Sequence, residues 1–156
     1  MEEAARGNKG YGHRASYIEY DSIYEATLAW KDENKPECRD RERGAFIYMK
    51  TDRLTQAKAY IIGRTYQGVS GNVIAGFIAG YLSGVFSGFF SRSVKIVGFI
   101  HTHPAPKPGM HNDFPSNADL FLLKLPGIDE VYVVPWKHCP GTPDIIKASD
   151  RQSWEH

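Results

Sequence analysis

The chain has 156 residues, with nineteen basic and eighteen acidic side chains and a formal net charge of +1. That length suits one domain, large enough to bury roughly two-thirds of its unfolded surface without help from a structural metal. The balanced charge provides no field for nucleic acid or an anionic membrane, so any recognition must be local. Cys38 and Cys139 stand far apart and outside any Cys-x-x-Cys arrangement. This pattern favours reduced thiols while leaving a single disulfide, and with it the compartment, open.

Residues 1–11 are rich in glycine and charge and lack the apolar core of a secretory signal. Residues 1–20 are therefore read as a flexible lead-in or a cut from a longer chain, and 21–156 as a single domain. From Asp21 onward Ile23, Ala26, Thr27, Leu28 and Trp30 recur at helical spacing, with Asp21 or Ser22 as N-cap. This predicts a first helix to about Asp32. A polar loop containing Pro36 runs to Asp40. The stretches 44–50 and 57–64 then read as two strands joined by a polar turn around Asp52, which places Glu42 at a strand entrance.

Residues 73–90 carry no charge, and Gly76, Gly80, Gly84 and Gly88 fall at every fourth position. On a helix these glycines form one stripe, at a cost of about 1 kcal/mol each against alanine. Close backbone packing offsets such a cost. A membrane helix would use the stripe for helix contact, but at 1.5 Å per residue the segment spans only about 27 Å against a core of roughly 30 Å. Its glycines and serines lower the hydropathy, and no basic flank marks an inside end. The expectation is a helix lying tightly on the sheet.

Residues 94–100 are dominated by β-branched and aromatic side chains and read as a buried strand, so His101 and His103, two apart, share one face. Pro104 ends the strand. Ser116-x-x-Asp119 then opens the apolar run Leu120-Phe121-Leu122-Leu123, the look of a helix start. Folding that helix back brings Asp119 to the histidines. Two imidazoles and a carboxylate suit Zn²⁺ and leave a fourth position for water, as in catalytic sites. Each half has a plainer role as well. A His-x-His pair can simply pack, and Ser116-x-x-Asp119 can be a capping box with no metal nearby. The two halves in order, with an acidic residue on an earlier strand, favour the metal. Glu42, between Arg41 and Arg43, is also readable as a surface ion-pair partner, and Glu37 is an alternative acid. His111 and Asp113 fall in the loop between the two halves and read as solvated loop, with stray ligation or a lid as alternatives. His138 and Cys139 read as structural.

Pro126-Gly127 is a turn, and Glu130 to Val134 a further strand continuous enough in apolar residues to lie centrally. From Trp136 onward the chain is mostly loop, with one short edge strand near 144–147. The order is helix, two strands, helix, strand, helix, strand. That pattern gives an α/β fold class, a three-layer arrangement with a mixed central sheet flanked by helices.

His101-Thr102-His103-Pro104, then Ser116-x-x-Asp119, with a glutamate on an earlier strand, resembles the JAMM (MPN-type) metallopeptidases, and more closely their bacterial toxin and effector branch. The likeness runs from about Ile23 to Pro135. It implies a cytidine-deaminase-like three-layer fold with Zn²⁺ as cofactor, held by His101, His103 and Asp119. It further implies Glu42 as the base acting on water and Ser116 as the residue steadying the tetrahedral intermediate. The implied activity is cleavage of peptide or isopeptide bonds in a protein or peptide substrate. The implied setting is a soluble bacterial effector with a cognate immunity protein, in the bacterial cytoplasm or delivered into a target cell. The loop 105–115 is enlarged relative to the family, which bears on the substrate groove more than on the metal. Two readings from other classes stand beside this one: a metal-free scaffold or binding module, and a membrane-active toxin module that inserts residues 73–90.

Overall fold

A computed structural model describes residues 18–34, 42–67, 93–103, 115, 117–135 and 144–150. The glycine-striped segment 73–90, Ser116, Glu37, His111, Asp113, His138 and both cysteines lie outside the described residues. Helix α1 spans Ile23–Asn34. Ser22 caps it, its Oγ accepting a hydrogen bond from the Glu25 amide at 3.1 Å. Strands β1 (Arg43–Thr51) and β2 (Lys58–Ile62) form the expected hairpin. Asp52 builds its turn, with Oδ1 accepting from the amides of Leu54 and Thr55 at 2.8 and 2.9 Å. The short strand β3 (Tyr66–Gln67) follows. Next come β4 (Val94–Thr102), helix α2 (Asn117–Leu122), β5 (Glu130–Val134) and β6 (Ile146–Lys147).

The sheet order is β2-β1-β4-β5-β6, with β3 pairing beside β2 on the outer edge of β1. β4 and β5 run parallel while the other pairs are antiparallel, so the sheet is mixed and the class α/β. The parallel pair occupies the middle of the sheet, and the burial pattern of β5 is nearly continuous. Tyr20 and Tyr60 exchange both backbone hydrogen bonds, at 2.9 and 2.8 Å, so the residues just before Asp21 are bound to β2.

The core lies on both faces. On one, Ala26 and Trp30 of α1 pack on Ala45, Ile47, Val97, Ile100, Tyr132 and Val134. On the other, leucines of α2 and the turn after it cover Phe46, Tyr48, Ile96, Phe99, Val131 and Val133. Each face therefore carries one described α-helix. Among the described residues no helix is long and apolar enough to cross a membrane.

One irregularity decides which face the histidines use. Along β1 and β4, Ile47 pairs with Gly98 but Tyr48 pairs with Ile96, so Val97 is an extra residue on β4. A bulge of this kind breaks the strict alternation of a strand. Val94 and Ile96 point to the α2 face, and beyond the bulge so does Phe99, an odd-numbered position. Without it, the face of Val94 and Ile96 would continue through Gly98 and Ile100, and the histidines would point toward α1. With it, His101 follows Phe99, on which its ring stacks with centroids 5.7 Å apart.

Gly44 provides the room for that stack. It lies opposite His101 in the β1–β4 register, and a Cβ there would stand 2.6 Å from Cζ of the buried Phe99 ring. An isolated glycine inside a strand commonly marks such a close approach. Gly44→Ala is expected to overpack the site and cost about 1 to 3 kcal/mol, and Phe99→Leu added to it should restore part of the loss because the two positions are in contact. Thermal melts of the two single variants and the double variant check this; strictly additive losses would show that Gly44 and Phe99 do not share the space.

Candidate metal centre

Three separate stretches of chain deliver the site. Glu42 precedes β1, His101 and His103 sit at the end of β4, and Asp119 lies in the first turn of α2. The register carries Glu42 to the histidines, because Gly44 pairs with His101 in an antiparallel ladder and the residue two before Gly44 falls on the same face. His103 lies one residue past the assigned strand, yet its amide donates to the Val134 carbonyl at 2.9 Å, so its backbone stays aligned with β5. Asp119 reaches in because the leucines of α2 anchor the helix on the same sheet face.

Asp119 Oδ1 lies 2.5 Å from His101 Nε2, and Oδ2 lies 3.4 Å from His103 Nε2. One carboxylate thus faces both imidazoles, whose ring centroids are 5.0 Å apart. Glu42 approaches the other nitrogen of His101, with Oε2 at 3.8 Å from Nδ1. His101, His103 and Asp119 are buried, and Glu42 is largely so. The expected set of His101, His103, Asp119 and Glu42 is therefore brought together.

Burial works to lower the pKa of His101, but the Asp119 carboxylate, aided by Glu42, outweighs it and pushes the imidazole up to about 10. For Asp119 the balance has the same form. Burial would raise its pKa, and the attraction of His101, with His103 behind it, holds the carboxyl far below the usual range.

The residues fit a divalent ion. Among the described residues His101 Nδ1 is buried without a hydrogen-bond partner, an arrangement that costs free energy unless something else satisfies the nitrogen. Its separation from Glu42 Oε2 exceeds hydrogen-bond reach. Two ligands of one tetrahedral zinc, each about 2.0 to 2.2 Å from the ion, stand roughly 3.3 to 3.6 Å apart, near the separation seen here. Glu42, His101 and His103 each offer a ligand atom within 4.8 Å of the others, so this trio can hold a metal ion. Imidazole nitrogens combined with carboxylate oxygens suit zinc and its neighbours in the first transition row.

The two residues that frame the histidines, Phe99 and Thr102, escape a reading based on ligand chemistry alone. Phe99 supports the His101 ring, and Thr102 Oγ1 accepts from the Arg43 amide at 3.0 Å. Gly44 was the available signal for Phe99, since an isolated glycine among apolar strand residues points to an intruding ring. Compared with known protein families, with curated proteins and with solved structures, the chain finds no match.

The protonation of His101 predicts how metal binding depends on pH. Its raised pKa means that the metal-free protein carries a proton on this imidazole through the neutral range, and the ion must displace it. Zinc affinity should rise about tenfold per pH unit between pH 6 and 8, with one proton released per ion. Calorimetry in buffers of different ionisation enthalpy measures both, and an affinity flat across that range would contradict the protonated pair.

Proposed function

We propose that this chain is a zinc-dependent hydrolase of the JAMM type that cleaves peptide or isopeptide bonds, with the three-layer cytidine-deaminase-like arrangement of that family. Its expected setting is the effector or toxin portion of a bacterial protein, acting in the bacterial cytoplasm or after delivery into a target cell. The observation that carries this reading is the convergence of Glu42, His101, His103 and Asp119 in one buried cluster at the end of the sheet. The order His101-Thr102-His103-Pro104 and Ser116-x-x-Asp119 supports the same choice.

His101, His103 and Asp119 would hold the ion, as the family resemblance implies, and Glu42, whose carboxylate shares the close donor trio with the two histidines, would contact it as well. Zinc, when bound, supplies a Lewis acid for the scissile carbonyl and lowers the pKa of water to about 7. Glu42 would accept a proton from the attacking water and return it to the leaving amine, so that one carboxylate serves first as base and then as acid. Phe99 packs against His101 and keeps its imidazole in place. Ser116, assigned from its position in Ser-x-x-Asp, would donate to the developing oxyanion, a contribution of roughly 3 kcal/mol in comparable sites. The substrate is a protein or peptide, and an immunity protein is the partner expected for a toxin of this kind.

A second reading has its own observation. Asp119 forms ion pairs with both imidazoles, and a buried carboxylate paired in this way is satisfied by the histidines themselves, so the cluster also suits a metal-free binding or scaffold module. Glu42→Gln separates the two. With saturating zinc this variant should keep the fold and, at weaker affinity, the metal, since His101, His103 and Asp119 remain, while hydrolysis falls by about 10²- to 10⁴-fold. Asp119→Asn should lose metal along with activity, because a neutral amide is a poor zinc ligand. Zinc analysis and peptide or ubiquitin-type isopeptide cleavage assays on both variants provide the readout; a protein that takes up no zinc and cleaves nothing is the scaffold.

A further inference from the structure

We infer that Thr102, the residue between the two histidines, is a positioning residue that fixes Glu42 at the metal by capturing the backbone of Arg43. The inference rests on the metal-centre reading above and adds a part that no ligand motif names.

The β1–β4 ladder ends at the pair Gly44 and His101. One residue further out a side chain continues it. Thr102 Oγ1 accepts from the Arg43 amide at 3.0 Å and donates to the Arg43 carbonyl at 3.5 Å. Thr102 is fully buried, and its own backbone pairs with Val134 of β5. The hydroxyl thus ties the entry of β1 to a strand held on its other side by the parallel ladder. The side chain of Arg43 is fastened as well, with Nη1 at 3.3 Å from Asn34 Oδ1 of α1 and Nη2 at 3.3 Å from Gln67 Oε1 of β3. Asn34 is itself held, its Nδ2 donating to the Trp30 carbonyl at 2.8 Å.

Glu42 is the residue immediately before this anchor, and its carboxylate projects into the cluster from a backbone position outside the strand. A carboxylate on an untethered strand entrance would sample many positions, and the ordering cost would fall on metal binding. With Arg43 pinned through both backbone and side chain, the ordering that metal binding must still supply is confined to Glu42 itself. Threonine suits the task because its hydroxyl supplies the acceptor while its methyl fills the buried space beside the strand.

The test uses the full chain and zinc alone as probe. Zinc affinity is measured by competition with a chromogenic chelator for the parent protein, Thr102→Val, Thr102→Ser, Glu42→Gln and the double variant Thr102→Val with Glu42→Gln. Outer residues that orient a metal site typically contribute 10- to 100-fold in affinity. Thr102→Val is expected to weaken zinc by that factor, Thr102→Ser to stay close to the parent, and Thr102→Val to add nothing once Glu42 is already glutamine. Should the valine variant fail to fold, Thr102→Ala against Thr102→Ser gives the same comparison, since the two differ by one hydroxyl. Equal weakening by serine and valine, or an undiminished loss on the Glu42→Gln background, would overturn the inference, because the effect would then be packing or would run through the histidines. Parent protein that binds no zinc removes the metal centre and this role with it. Zinc binding without hydrolysis overturns the proposed activity and leaves the role of Thr102 standing.

Discussion

A carboxylate buried against two imidazoles is the constraint around which this structure closes. Charges withdrawn from water are tolerated only when they are paired, and Asp119 meets that condition only if α2 lies against the end of β4. The apolar residues of α2 supply the attraction and Asp119 supplies the specificity, since a helix shifted by one residue would turn the carboxylate away from His101 Nε2, now at 2.5 Å. The same pairing ties the helix to the sheet and gathers the donors for a divalent ion. In this cluster the packing of the fold and the chemistry of the site depend on one contact.

The sheet contributes through register. Gly44 faces His101 across the ladder, Phe99 fills the space that the glycine leaves, and the bulge at Val97 sets the face on which all of this happens. A slip of one residue along β4 would send both histidines to the side of Trp30 and Ala26, away from Asp119. The parallel pairing with β5 resists such a slip, because His101 and Val133 are fixed partners in a ladder that is buried on both faces.

Much of this was legible in the sequence, for physical reasons that differ from element to element. The run Glu130 to Val134 is apolar and bounded by turn residues, and it forms the strand with those limits. Asp52 announces its turn through side-chain chemistry, and Ser22 caps α1 as its position suggests. His101, His103 and Asp119 could be grouped because the period of a strand and the start of a helix each fix a direction. The bulge at Val97 could not be read, since every residue around it is equally at home in a regular strand and only the pairing with β1 reveals the extra one. The two-residue strand β3 is set by tertiary contacts rather than by local propensity, whereas β6 falls within the short edge strand expected near 144–147. Thr102 was invisible for a similar reason, as its role depends on which backbone amide lies across the sheet.

X-ray absorption at the zinc edge of the metal-loaded protein tests the central claim most directly, because it reads the ligands without knowledge of a substrate. The account predicts a shell of nitrogen and oxygen at about 2.0 to 2.1 Å, with the multiple-scattering pattern of two imidazoles. A spectrum without ordered imidazole, or one in which zinc is bound by sulfur, would contradict a centre built on His101 and His103.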